Sequence, residues 1–194
     1  MKRPTVLKDY RKFYIRTSIQ RILEVFFRFP EKEFSLSELA KEAEVSKAQV
    51  SVLLGGLEKD GLICIEKLTK IWRIRANQKS QEFIRDKILY NLNFVYSSGL
   101  IEFLNEYFKN PAAIILFGSF RKGEDLKSSD IDIAIESRDV KDYKILELKE
   151  LREFEGAIGK KIQIHLFSRE NVDIHVFNNI ANGITLIGFL EVKP

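Results

Sequence analysis

Cysteine, methionine, tryptophan and proline are scarce in this 194-residue chain: one, one, one and four residues. The lone Cys64 excludes an internal disulfide and a cysteine-based zinc site, and it suits a reducing compartment. No apolar run approaches the length of about 18 residues that marks a membrane helix. The opening MKRPTVLKDYRKFY is basic but has no apolar stretch, so it does not read as a secretory signal. A cytoplasmic protein without a membrane partner is expected. Neither charge sign dominates: 32 basic residues face 28 acidic ones, for a net +4. That mild excess is compatible with a polyanionic partner and does not require one. What the chain does have is a 45% apolar and 31% charged composition, the profile of a globular protein. Its length suffices for one medium domain or two small ones.

Helical spacing of Ile15, Ile19, Ile22, Leu23 and Phe26 predicts a helix over 13–29 that stops at Pro30. Ser35, with Glu38 three residues on, reads as a capping box opening a short helix from Leu36 to Ala43. Ser46 caps a helix from Lys47 to about Lys59, which Asp60-Gly61 ends. Two β-like runs follow, Leu62 to Leu68 and Lys70 to Arg75, with Trp72 expected in the core of the ribbon. This order, with Leu36, Leu39, Ala40, Val45, Val50, Leu53, Leu54 and Leu57 as a three-helix core, resembles the winged helix-turn-helix domains of prokaryotic transcriptional regulators. The resemblance implies that the second helix of the motif enters the DNA major groove with Lys47, Gln49 and Ser51. Lys67, Lys70, Arg73 and Arg75 on the ribbon would meet phosphates. The competing reading of these basic residues is a solubilising surface, and some winged helices bind protein instead.

Residues 77–110 read as two connector helices, Ser80 to Tyr96 and Leu100 to Phe108. Their apolar stripe suits packing on both neighbours, or a homodimer. From Pro111 the pattern becomes α/β. AAIILFG, DIDIAI and KIQIHLF read as strands, KILELKELREFEGAIG as an amphipathic helix ending at Gly159, and ENVDIHVFNNIAN as a helix. GITLIGFLEV reads as a helix tail or a strand. The expected fold class is α+β: domain 1–76, connector 77–110, and a mixed-sheet domain 111–194.

The stretch from Gly118 to Asp132 carries the chemistry. Gly118-Ser119 follows a buried strand, and Asp130-Ile131-Asp132 opens the next one, ten residues later. Strand side chains alternate, so Asp130 and Asp132 share one face while Ile131, Ile133 and Ile135 bury on the other. Two carboxylates on a rigid strand suit Mg²⁺ shared with substrate phosphates. Gly118 lets backbone approach a phosphate, Ser119 offers a hydroxyl and a backbone N–H, and Arg121 or Lys122 offsets charge. A lone Asp-x-Asp is usually solvated surface and a lone Gly-Ser is usually a turn; their conjunction on two apolar strands is what distinguishes them.

G-S, ten residues, D-x-D resembles the signature of minimal nucleotidyltransferases of the DNA polymerase beta superfamily, and the resemblance extends over about 85 residues. It implies transfer of a nucleoside monophosphate from an NTP to a hydroxyl, with Mg²⁺ or Mn²⁺ on Asp130 and Asp132. Gly118, Ser119, Arg121, Lys122 and Ser129 would form the nucleotide site. The acceptor would be a protein or a nucleic acid; some members of the family modify a partner toxin. The pattern departs from the family at one place. Active members carry a third carboxylate on a later strand, and the matching strand here presents Gln163 and His165. Three readings stay open: His165 substitutes, Glu136 or another acid serves, or the site binds nucleotide with little or no turnover. The last would leave a DNA-binding regulator with a degenerate domain. The plainer reading of His165 is a hydrogen-bonded strand residue, and of His175 a packing residue.

Overall fold

The computed structural model describes residues 17–68, 71–137 and 140–192. They form two compact units, 17–90 and 91–192. The division falls inside helix α4 (Gln81–Ser97), within the stretch 77–110 expected to connect the two domains.

The first unit opens with α1 (Ser18–Arg28), whose N-cap Thr17 accepts the Gln20 N–H. Its apolar face buries Ile22, Leu23, Val25, Phe26 and Phe27; Ile15 lies outside the described residues. The expected capping box stands at the start of α2 (Leu36–Glu42). Ser35 Oγ accepts the Glu38 N–H at 3.3 Å, and Glu38 returns the contact to the Ser35 N–H at 2.8 Å. Those two bonds satisfy two of the backbone donors that a helix start leaves open. The Glu38 carboxyl is held below its ordinary value mainly by the Ser35 backbone N–H, then by the Ser35 hydroxyl. Ser46 caps α3 (Lys47–Lys59) in the same manner as Thr17 caps α1.

Leu39, Ala40, Val45, Val50, Leu54 and Leu57 are buried as expected, while Leu36 and Leu53 are half-buried. Strands β1 (Ile63–Lys67) and β2 (Trp72–Ala76) pair antiparallel, and Phe34 bridges to Ile74. Ile74, fully buried, forms the ribbon's core with Ile63 and Ala76. Trp72 is only half-buried, which corrects the expectation. It shares the face of Ile74 but sits at the strand's first position, where the Lys67 ammonium covers its ring at 4.6 Å. Fully burying one such apolar side chain contributes about 1.5–3 kcal/mol, so Ile74 and Phe34 hold the ribbon more firmly than Trp72 does.

The second unit is a five-stranded mixed sheet with helices. It comprises α5 (Leu100–Tyr107), β3 (Ala113–Phe117), α6 (Gly118–Lys122), β4 (Ile131–Glu136), β5 (Lys144–Leu146), α7 (Arg152–Ile158), β6 (Ile162–Phe167), α8 (Ile174–Ala181) and β7 (Ile184–Gly188). Strand order is β5-β6-β4-β3-β7, with β4 and β6 parallel and the other pairs antiparallel. Cross-strand partners share a face. Ile114, Leu116, Ile131, Ile133, Ile135, Ile162 and Ile164 therefore form one wholly buried face. The opposite face carries Phe117, Asp132, Ala134, Glu136, Gln163, His165 and Phe167, with Ile115 and Phe167 packed in a cluster with Ile180 of α8.

The helix expected over 144–159 is shorter than the pattern predicts. Lys144–Leu146 is drawn into the sheet as an edge strand on β6, and the helix begins only at Arg152 after a 3₁₀ turn, Lys149–Leu151. Open backbone groups on the edge of β6 draw in this segment despite its helix-forming Lys, Leu and Glu residues. Gly159 ends the helix as expected, at φ 76°. His175 is exposed in the first turn of α8, where its backbone N–H meets the cap Asp173, so it is not a packing residue.

Candidate functional site

The site lies where β3 ends beside the start of β4. Phe117 is paired with Asp132, and the chain turns at once into α6. Gly118 has φ +75°, and a β-carbon there would stand 2.1 Å from Asp132 Oδ2. Only glycine meets both conditions, because L side chains rarely adopt that backbone conformation and no substituent fits the space. Asp132 thus lies directly over the Gly-Ser turn. Asp130 sits one residue before β4.

Both carboxylates are met by β6. Gln163 Nε2 donates to Asp130 Oδ2 at 2.6 Å, and His165 Nε2 stands 3.2 Å from Asp132 Oδ1. On the far side of the imidazole, the Tyr143 hydroxyl lies 2.5 Å from Nδ1. Burial, and then the charge of Asp132, push the Tyr143 phenol above its ordinary value. With the hydroxyl as donor to Nδ1, Nε2 carries the ring proton and donates to Asp132. Phe117 closes the imidazole edge-on at 4.8 Å. Tyr143, just before the unexpected strand β5, is a site residue that the sequence pattern did not reveal.

The residues at the third position are therefore both hydrogen-bond donors to the paired aspartates. Glu136 shares the face of Asp132, as alternation requires. Four residues along a strand span roughly 13 Å, and Arg169 Nε binds Glu136 Oε1 at 2.5 Å. Glu136 belongs to the other end of the sheet and does not join the pair.

The donor set can be tested against a hard cation. Mg²⁺ commonly takes one or two carboxylates, with water and phosphate oxygens completing its shell. Asp130 Oδ1 and Asp132 Oδ2 are the oxygens that the β6 donors leave open. Among the described residues, no cluster of three or more His, Cys, Asp or Glu side chains has the arrangement of a metal site. Two carboxylate oxygens do not make an all-protein cage; an ion held there would draw its remaining ligands from water or phosphate.

Beside the aspartates opens a cleft of about 550 Å³, lined by Gly118, Ser119, Arg121, Lys122, Asn179 and Asn182, among others. Four of the five expected nucleotide residues line it. Ser129 does not: its hydroxyl accepts the Leu126 N–H at 2.9 Å and shapes the loop between α6 and β4. That loop is anchored by a buried charge pair. Lys160 Nζ stands 2.9 Å from Asp125 Oδ2 and also donates to the Leu126 carbonyl. Asn91 Nδ2 donates to Asp125 Oδ1 and to the Phe120 carbonyl, both at 2.8 Å.

In the first unit, Lys47, Gln49 and Ser51 are exposed on the first turns of α3, and Arg73 and Arg75 are exposed on alternate positions of β2. Lys67 is exposed but partly engaged over Trp72. Lys70 lies outside the described residues.

No helix among the described residues is long and apolar enough to cross a membrane. No curated protein and no solved structure matches the chain. Residues 97–182, which hold α5, the Gly118-Ser119 turn, both aspartates and α8, match the family model of the nucleotidyltransferase domain.

Proposed function

We propose that the second unit binds a nucleoside triphosphate with Mg²⁺ and transfers its nucleoside monophosphate to a hydroxyl of a protein or nucleic acid, releasing pyrophosphate. One observation carries this reading: Asp132 lies over Gly118, so carboxylate and phosphate-binding turn share one point in space. Ser119 would hold the β- and γ-phosphates, and Arg121 and Lys122 would offset their charge. Asp130 Oδ1 and Asp132 Oδ2 would hold the metal, which when bound neutralises and orients the phosphates. The attacking hydroxyl must lose a proton. The Gln163 amide cannot take it, and the His165 ring is occupied on both nitrogens, by Asp132 and Tyr143. The chain is thus equipped to bind and orient more than to deprotonate, and turnover is slow.

That same engagement of Gln163 and His165 favours a second reading, in which the domain senses nucleotide for a DNA-binding regulator. The order of α1, α2, α3 and the β1–β2 ribbon supports a winged helix in the first unit. Lys47, Gln49 and Ser51 would face the major groove, and Lys67, Arg73 and Arg75 the phosphates.

Calorimetry with ATP, GTP, CTP and UTP, with and without Mg²⁺, tests the shared premise. Binding that needs Mg²⁺ and disappears in the Asp130→Asn/Asp132→Asn double variant supports a working site. No binding by folded wild-type protein removes both readings of the domain. Duplex DNA affinity measured against salt tests the first unit: Arg73→Ala and Arg75→Ala should each lower the slope by about one.

A further inference from the structure

The cleft beside the aspartates is lined by two chemically distinct groups of residues. Gly118, Ser119, Arg121 and Lys122 are a set suited to phosphate, with Glu124 beside them in the sequence. Asn179, in the last turn of α8, and Asn182, its C-cap, are neutral amides. Both amides are exposed. Their helix is held in place from beneath, because Ile180 is buried and Val176 and Phe177 pack on the same cluster as Phe117.

Two neutral amides have little to offer a triphosphate, whose oxygens are served better by Arg121 and Lys122. They match a neutral ligand that presents donors and acceptors side by side. A nucleobase edge does this, and an asparagine amide pairs with adenine in the same two-point manner. The Asn182 amide nitrogen already donates to the Asn178 carbonyl at 2.8 Å, which leaves its oxygen to accept. Asn179 carries no side-chain hydrogen bond among the described residues, so both of its atoms are available.

We infer that Asn179 and Asn182 form the nucleoside subsite of this cleft and contact the base of the NTP whose phosphates lie against Ser119. This inference rests on the nucleotide-binding reading above and adds to it the residues that decide which nucleotide is held. The Asn182 acceptor oxygen selects a base with an exocyclic amino group, adenine, cytosine or guanine, over uracil, which has none.

The test compares two probes on the full chain: the four NTPs and inorganic tripolyphosphate, each with Mg²⁺, by calorimetry. Asn179→Ala and Asn182→Ala are substitutions of exposed side chains, and circular dichroism confirms their folding. Asn179→Ala should weaken the preferred NTP about tenfold, the loss of one bonded contact worth about 1.4 kcal/mol, while tripolyphosphate affinity stays within about twofold. Asn182→Ala should narrow the difference between ATP, CTP or GTP and UTP. Equal weakening of NTP and tripolyphosphate, or no change in either, overturns the subsite. A wild-type protein that binds neither probe fails at the earlier step and overturns the nucleotide reading itself. Wild-type binding of tripolyphosphate as tight as that of every NTP also overturns the subsite, since no nucleoside contact then contributes.

Discussion

The Cα of Gly118 lies against the carboxylate of Asp132, so close that a single added methyl would stand 2.1 Å from Oδ2. The Gly118-Ser119 turn and the strand that carries Asp132 are in effect one object. Gly118→Ala must move either the turn or the aspartate. It should abolish Mg²⁺-dependent NTP binding in calorimetry, and it should cost at least about 1 kcal/mol of stability in urea unfolding, because the positive φ is also lost to the side chain.

Gln163→Glu reverses the chemistry at the third position. It replaces the donor that meets Asp130 Oδ2 at 2.6 Å with a like charge. In chelator the variant should melt below wild type, since two facing carboxylates repel. Added Mg²⁺ should raise its melting temperature by more than that of wild type, because the ion gains a third oxygen ligand. Equal responses to Mg²⁺ would show that Gln163 does not adjoin the metal position.

Lys160→Met leaves Asp125 buried with its charge and without the ammonium at 2.9 Å. Breaking a buried pair from one side costs about 3 kcal/mol or more. The Asp125→Asn/Lys160→Met double variant should recover at least half of that in denaturant unfolding. It removes both charges while leaving an oxygen for the Asn91 amide.

Tyr143 makes the stability depend on alkaline pH. Its folded value is raised, so its contribution is complete below the ordinary phenol value of about 10 and is lost as pH rises through the higher folded value. Near neutrality, Tyr143→Phe should be less stable than wild type by about 1 kcal/mol, one hydrogen bond. The gap should shrink as pH rises above about 10, because the folded wild type holds a proton that its unfolded chain releases. Unfolding midpoints of both proteins across that range check the sign.

Much of this was legible where the signal is local. Ser35 with Glu38 and Ser46 with Gln49 act within one helical turn, so residue type and spacing carry the information. The Gly118-Ser119 turn and Asp130/Asp132 each sit next to a five- or six-residue apolar strand, and alternation assigns their faces. The polar face of β6 was likewise readable as Gln163 and His165. What those two side chains do was not readable, because it depends on the parallel register that sets Gln163 opposite Asp132. Tyr143 and β5 were missed since an edge strand is chosen by its neighbour's open backbone rather than by its own sequence. Asp125 and Lys160 are 35 positions apart, and a charge in a loop reads as surface until its partner is known. Asn179 and Asn182 read only as part of a helix; their clustering with Asn178 at one helix end was the available signal.

The proton arrangement on His165 hangs on the weakest strand of the sheet. Strand β5 has three residues, lies at the edge and pairs only with β6. Short edge segments open at far lower free energy than a sheet's centre does. Each such opening carries Tyr143 away and frees Nδ1, while Asp132, on a central strand, stays in place. Amide exchange at Lys144–Leu146 therefore reports how often the contact between Tyr143 and His165 is free to break.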